Sequence, residues 1–338
     1  MNFIGIDLAW GSRTPDPAHK PNRTGIAVLD SGGHLTYIGT HVFDDEIHAT
    51  VAPYAQGSCV VAIDAPLRIT NQDGQRLAET TLGRDFARFD AGANSANIAR
   101  FSADPRGARL ARALALDIDP RSARPRRAVE VYPHPATVAL FRLGRIFKFK
   151  KGTPAQRKPE MLRYIRAIES LATAPVAIHV VEHDDWNHVR RTVENAEQPF
   201  ELNRAEDQID AVMCAYVALY AHHRPDDVTI YGDFPANGYI LTPTLPRDVK
   251  PTPRRPPAPT SPVPPAIAGQ HARCSALLGA IRATLTEIES EISTLAPSMT
   301  HNTANVAADL LSEVEAVLAQ ADLEITTLRA RLHTPSEA

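Results

Sequence analysis

The sequence predicts an α/β domain, a mixed sheet flanked by helices, followed by an α-helical hairpin at the C-terminus. Three observations carry this expectation. Apolar, strand-length runs at Met1–Trp10 and Cys59–Leu67 each stop at an acid, Asp7 and Asp64. The stretch Glu206–Tyr220 is apolar almost all round after its first turn, as a buried helix is. Beyond a proline-dominated stretch from Pro243 to Pro265, two long apolar stripes recur at helical spacing.

In chain order, the strand ending at Asp7 is followed by a long polar turn, Gly11 to Arg23, and then by renewed strand composition at Thr24–Asp30. The two form a hairpin. Ser31-Gly32-Gly33 turns the chain into a third strand, His34–Phe43, which leaves Asp7 at the centre of the sheet. Asp44–Tyr54 reads as a short helix, and Cys59–Leu67 as a strand buried on both faces. Residues 68–127, rich in small residues, read as a helical or irregular insertion covering one side of the sheet. Strand composition returns at Ala128–Pro135, with Glu130 inside it and prolines to stop it, and Ala136–Gly144 reads as helix. Met161, Leu162, Ile165 and Ile168 recur at helical spacing; Ala177–Val181 and Val228–Gly232 read as short strands, the second at the sheet edge. Gly238–Pro243 closes a first domain of residues 1–245.

Residues 246–268 then form a stiff proline-rich linker, and residues 269–334 the hairpin. Two helices alone bury too little to be stable, so the hairpin is expected to dock on the main domain or to pair with another copy in a homo-oligomer.

Composition narrows the function classes. With 338 residues, 43% of them apolar, the chain can bury a large core, and a net charge of −3 says little about partners. Three cysteines without C-x-x-C spacing read as core thiols of a reducing compartment. The N-terminus has no basic region ahead of its apolar run, and Ala211–Ala221 falls short of the roughly 20 residues a bilayer span needs. A cytoplasmic protein with no membrane partner is the expectation. The sequence contains no P-loop and no G-x-G-x-x-G.

The acids carry the chemistry. A strand with Asp7, two antiparallel strands, a helix, a strand with Asp64 and a late helix opening with Asp207 and Asp210 is the element order of the ribonuclease H-like fold. In that fold the first and fourth strands lie side by side and the last helix crosses their acid-bearing ends. Asp207 and Asp210, three apart, share a helix face. Carboxylates gathered this way cannot all stay ionised without a cation. Hard oxygen ligands select Mg²⁺ or Mn²⁺, and two such ions about 3.5–4 Å apart can activate a water and stabilise a leaving oxygen. Asp7, Asp64 and Asp210 are the candidate metal ligands, with Asp207 or Glu130 as a fourth catalytic carboxylate. Each has a plainer reading beside it: turn-forming acids at strand ends, acids complementing a helix dipole, a structural glutamate.

Arg142–Arg166 holds nine lysines and arginines against one acid, Glu160. It is either a solvated face or a nucleic-acid contact. Lys148, Lys150 and Lys151 alternate with Phe147 and Phe149, as in an extended segment anchored by its aromatics, and with Arg157 they are the candidates for holding a phosphate backbone. His134 and His183 are isolated, and are either structural or ligands.

Gly5-Ile-Asp7 with Trp10, Ala62-Ile-Asp64-Ala-Pro66-Leu67, Glu130-Val-Tyr132-Pro133-His134-Pro135, the basic Lys148-to-Arg157 segment and Asp207-x-x-Asp210-Ala211 together resemble domain-of-unknown-function family 429. That family is regarded as a predicted nuclease with a ribonuclease H-like fold, and the resemblance spans roughly residues 1–245. It implies metal-dependent phosphodiester hydrolysis on DNA or RNA. The acid spacing is also similar to that of RuvC-like resolvases. Ribonucleases H proper carry a glutamate on their first helix, a place only Glu46 could take here. Two rivals stand beside the nuclease: a non-catalytic nucleic-acid-binding or scaffold protein on the same fold, and a phosphoryl-transfer enzyme. The last would need a duplicated domain with a second phosphate loop, and the sequence holds one copy.

Overall fold

A computed structural model describes residues 1–10 and 23–253. The segment 11–22, most of the proline-rich linker and the whole of the expected hairpin lie outside the described residues. The compact unit runs from Met1 to Thr252. Its last residues are tied down: the Thr252 N–H donates to the Gly144 carbonyl at 2.9 Å, and Arg145 donates to the Thr252 carbonyl at 2.5 Å.

The central sheet has five strands in the order β3-β2-β1-β4-β5. They are β1 (Asn2–Asp7), β2 (Thr24–Leu29), β3 (Leu35–His41), β4 (Cys59–Ile63) and β5 (Arg126–Glu130). β1 pairs antiparallel with β2 and β2 with β3, while β1, β4 and β5 run parallel, so the sheet is mixed and β1 is central. Buried Phe3, Ile4, Ile6, Ile26, Val28, Val60, Val61 and Ile63 supply its core. The parallel register brings the C-terminal ends of β1, β4 and β5 to one sheet edge, where Asp7, Asp64 and Glu130 stand.

Around it lie α1 (Asp44–Val51), α2 (Leu77–Phe86), α3 (Arg106–Ala113), α4 (Pro133–Leu140), α5 (Pro154–Ser170), α6 (Asp184–Asn195) and α7 (Pro199–His223). α7 crosses β1, β2, β3 and β4 and is backed by α5 and α6. Two glycines allow it to lie directly on the strands. A Cβ on Gly5 would fall 2.0 Å from the Ala211 carbonyl oxygen, and one on Gly25 would fall 1.8 Å from that of Asp207. Any larger residue would lift the helix off the sheet. No described helix is long and apolar enough to cross a membrane.

Several sequence expectations change. Val228–Gly232 (β6) is not an edge of the central sheet; it pairs with β7 (Tyr239–Pro243) in a separate two-stranded sheet that α2 covers. Ala177–Val181 makes only one bridge, His34 to His179. Pro133 opens α4 as well as ending the preceding strand, because proline is pre-set for a first helical turn that needs no N–H from it. The insertion 68–127 holds α2 and α3, and α3 packs against α1. Arg106 of α3 ties that contact by donating to Asp44 Oδ1 and the Ala9 carbonyl, both at 2.7 Å. α6 was not expected, although Trp186, Val189 and Val193, all buried, keep helical spacing.

Candidate carboxylate site

The sheet register decides which acids can meet. Ile6 pairs with Ile63, and the ladder continues with the Asp64 N–H donating to the Ile6 carbonyl at 2.9 Å. Asp7 and Asp64 are therefore neighbours on adjacent parallel strand ends. Side chains alternate faces along a strand, so Asp7 shares the face of Gly5, the face α7 covers. Asp7 also pairs with Gly25, against which the Asp207 backbone rests. The Trp10 indole N–H donates to the Asp64 carbonyl at 2.8 Å and ties the two strand exits together.

α7 begins at Pro199, so Glu206, Asp207 and Asp210 lie in its third and fourth turns. The dipole explanation for these acids falls away, since that effect fades beyond the first turn, where Glu201 sits. The sheet holds them in place instead. Asp210 is fully buried and Asp64 is 8% exposed.

Lys150 faces this group of acids. Its Nζ lies 2.7 Å from Asp210 Oδ2 and 3.4 Å from Glu206 Oε1. Among the described residues neither Asp210 oxygen has a well-directed hydrogen bond, so Lys150 meets it as an ion pair. The electrostatics follow. Burial, with Asp210 and Glu206 adding to it against the pull of Lys150, lifts the Asp7 carboxyl to about 7. Asp207 is pushed to about 8 by burial and by Asp7, Glu206 and Asp210. Asp64 rises well above the carboxylate range through burial, Asp7 and Asp210, with Lys150 opposing. For Lys150, the penalty of burial is outweighed by Asp210, Asp7 and Glu206, which hold it charged.

Glu130 stands apart. It pairs with Ile63, one residue out of step with Asp64, so its side chain points to the opposite face of the sheet. There it is clamped by both terminal nitrogens of Arg76 and accepts the Leu67 N–H at 2.9 Å. Arg76 also donates to Glu79 Oε1 at 2.7 Å, and all three side chains are buried. These contacts account for Glu130 without a ligand role. Glu46 accepts the N–H groups of Val42 and Phe43, capping its own helix.

The basic segment divides. Arg157 is buried, donating to the Phe149 carbonyl, to Asn203 at 2.8 Å and to Glu206 at 2.9 Å, so it cannot hold a nucleic-acid backbone as expected. Lys150 is committed to the acids. Lys148 and Lys151 remain at the surface, lining an open cavity of about 610 Å³ with Arg145 and Arg163. Phe147 and Phe149 anchor the segment as the alternation suggests, stacking on Tyr164 with ring centres 5.1 and 5.2 Å away. His134 packs between Tyr132 and Phe149, and burial, with Lys150 nearby, lowers it to about 4. His183 caps α6, accepting the Asp185 N–H.

The family model described as protein of unknown function (DUF429) matches residues 5–236, from the strand of Asp7 to past β6. The chain belongs to this family. The match holds every acid of the cluster and Lys150, so the carboxylate site is a feature of the DUF429 region, not of the C-terminal residues. Comparison with curated proteins and with solved structures gives no match.

The donor set suits a hard cation: buried carboxylates, an Asp210 without directed hydrogen bonds, and too little positive charge. Among the described residues, though, no group of three or more His, Cys, Asp or Glu side chains is spaced to hold a metal ion. The Lys150 ammonium meets two of the acids, Asp210 and Glu206. Sequence reasoning missed Glu206 as a member and Lys150 as the counter-ion. Glu206 was legible, four residues before Asp210 on the same helix face. Lys150 was not, because a loop brings it in.

Proposed function

We propose that the DUF429 domain is a divalent-metal-dependent nuclease that hydrolyses phosphodiester bonds of DNA or RNA on a ribonuclease H-like fold. One observation carries the reading: Asp7 and Asp64 share adjacent parallel strand ends on the face where α7 places half-buried Asp207 and buried Asp210, with Lys150 against Asp210. The central position of β1, and a last helix lying over it, support the fold assignment.

Asp7, Asp64 and Asp210 would hold Mg²⁺ or Mn²⁺, with Asp207 as the fourth acid. The cation would neutralise the cluster and supply Lewis-acid activation for attack of water on phosphorus. The chain's own part is to hold those carboxylates, two buried and two half-buried, on one face of the sheet. Ionising Asp7 and Asp207, both raised by burial and like charge, is what the cation would drive. Lys148 and Lys151, exposed on the segment that carries Lys150, would contact backbone phosphates, with Arg145 and Arg163 extending that surface.

The rival is a non-catalytic nucleic-acid-binding or scaffold protein, and the Lys150–Asp210 ion pair favours it, because it gives the acids a counter-ion without metal. Full-length protein and its Asp7→Asn variant, incubated with labelled single-stranded, double-stranded, hybrid and branched substrates in Mg²⁺ or Mn²⁺, separate the two. Cleavage by the wild type alone is expected; cleavage by both or by neither removes the nuclease.

A further inference from the structure

The lysine that meets the acids has the geometry of a stopper. Its side chain is 36% exposed, whereas that of Asp210, 2.7 Å from its ammonium, is 1% exposed, so the stem of the lysine reaches solvent while its charge sits against a buried acid. It belongs to a segment with a fixed end and a turning point. Phe147 and Phe149 are locked onto Tyr164, and two residues after Lys150 the chain turns through Gly152 at φ +114°, a conformation that favours glycine, into α5. The buried Tyr164 hydroxyl faces Asp210 as well. Besides Lys150, the cation that reaches these acids among the described residues is Arg157, which meets Glu206 at 2.9 Å.

We propose that Lys150 is the resident cation of the metal-free cluster and competes with the divalent ion for Asp210 and Glu206, thereby setting the metal concentration at which the site fills. This rests on the metal-dependent reading above and adds to it a built-in competitor. A monovalent ammonium and a divalent ion cannot both sit within a few ångströms of one carboxylate without strong repulsion. Metal entry expels Lys150 outward, toward the surface where Lys148 and Lys151 already stand.

The test is equilibrium titration of Mn²⁺ into chelator-stripped, full-length wild type, Lys150→Gln and Lys150→Arg, with free Mn²⁺ read by electron paramagnetic resonance. Lys150→Gln should bind roughly tenfold or more tightly than wild type, and Lys150→Arg, which keeps the charge, within about twofold of it. If Lys150→Gln folds only when metal is present, thermal melts across a Mn²⁺ series read the same quantity, and its stabilisation should begin at lower Mn²⁺ than in wild type. Equal or weaker binding by Lys150→Gln overturns the proposal. Absence of saturable binding in all three proteins removes the metal-dependent reading, and the competitor with it.

Discussion

The central sheet buries ionic groups on both faces, and the two clusters follow opposite rules. On one face Arg76 meets Glu79 and Glu130, and Glu130 also takes a backbone N–H, so every charge has directed partners. On the other, Asp7, Asp64, Glu206, Asp207 and Asp210 lie on one face; Lys150 meets Asp210 and Glu206, Arg157 meets Glu206, and Asp210 has no well-directed hydrogen bond among the described residues. The first arrangement is closed. The second sets five carboxylates against one lysine and one arginine among the described residues, the imbalance on which the proposed cation site rests.

The largest effect should come from breaking the closed cluster. Arg76→Met leaves Glu79 and Glu130 buried without a partner, and is expected to cost about 3–5 kcal/mol in urea unfolding, equally with and without Mn²⁺. The open cluster should respond in the opposite direction. Asp207→Asn removes one of several repelling carboxylates, and should stabilise the protein by about 1–2 kcal/mol at pH 8 in chelator. A loss of stability there would mean that the acids are as well compensated as Glu130.

The pH response sharpens the contrast. Asp7 and Asp207 carry folded-state values of about 7 and about 8, above the ordinary 3.8, so between those limits the folded protein binds more protons than the unfolded chain. Their contribution to stability is thus full below about pH 4 and lost as pH rises to about 8. Thermal melts in chelator should show that loss, and Mn²⁺ should restore most of it, more at pH 8 than at pH 5. The smallest effect belongs to the exposed cations: Lys148→Ala and Lys151→Ala should each lower the slope of log affinity against log salt for nucleic acid by about 1, without changing stability.

How much of this could be read from the sequence depended on whether local pattern or register decided the matter. Asp7 and Asp64 were legible because each ends a continuous apolar run, and the five strands of the sheet were legible for the same reason. Glu130 lies inside its run, and a one-residue offset in pairing turns it to the other face; no pattern along one chain reports an offset between two. The apolar pattern starts α7 too late because its opening residues, Pro199 to Arg204, begin on a proline and mix Phe200 and Leu202 with polar residues, like a loop. That error supplied a dipole explanation for Asp207 and Asp210 that the structure removes. Arg157 looked like surface charge in a basic run, and only tertiary packing could show it buried against Asn203 and Glu206.

The central claim is that the acids on the α7 face are short of one cation, and binding of Mn²⁺ to wild type and Asp64→Asn tests it most directly. Saturable binding by the wild type, lost or weakened at least tenfold in the variant, is the expected result. A wild type that takes up no Mn²⁺, or a variant that binds as well as the wild type, would contradict it.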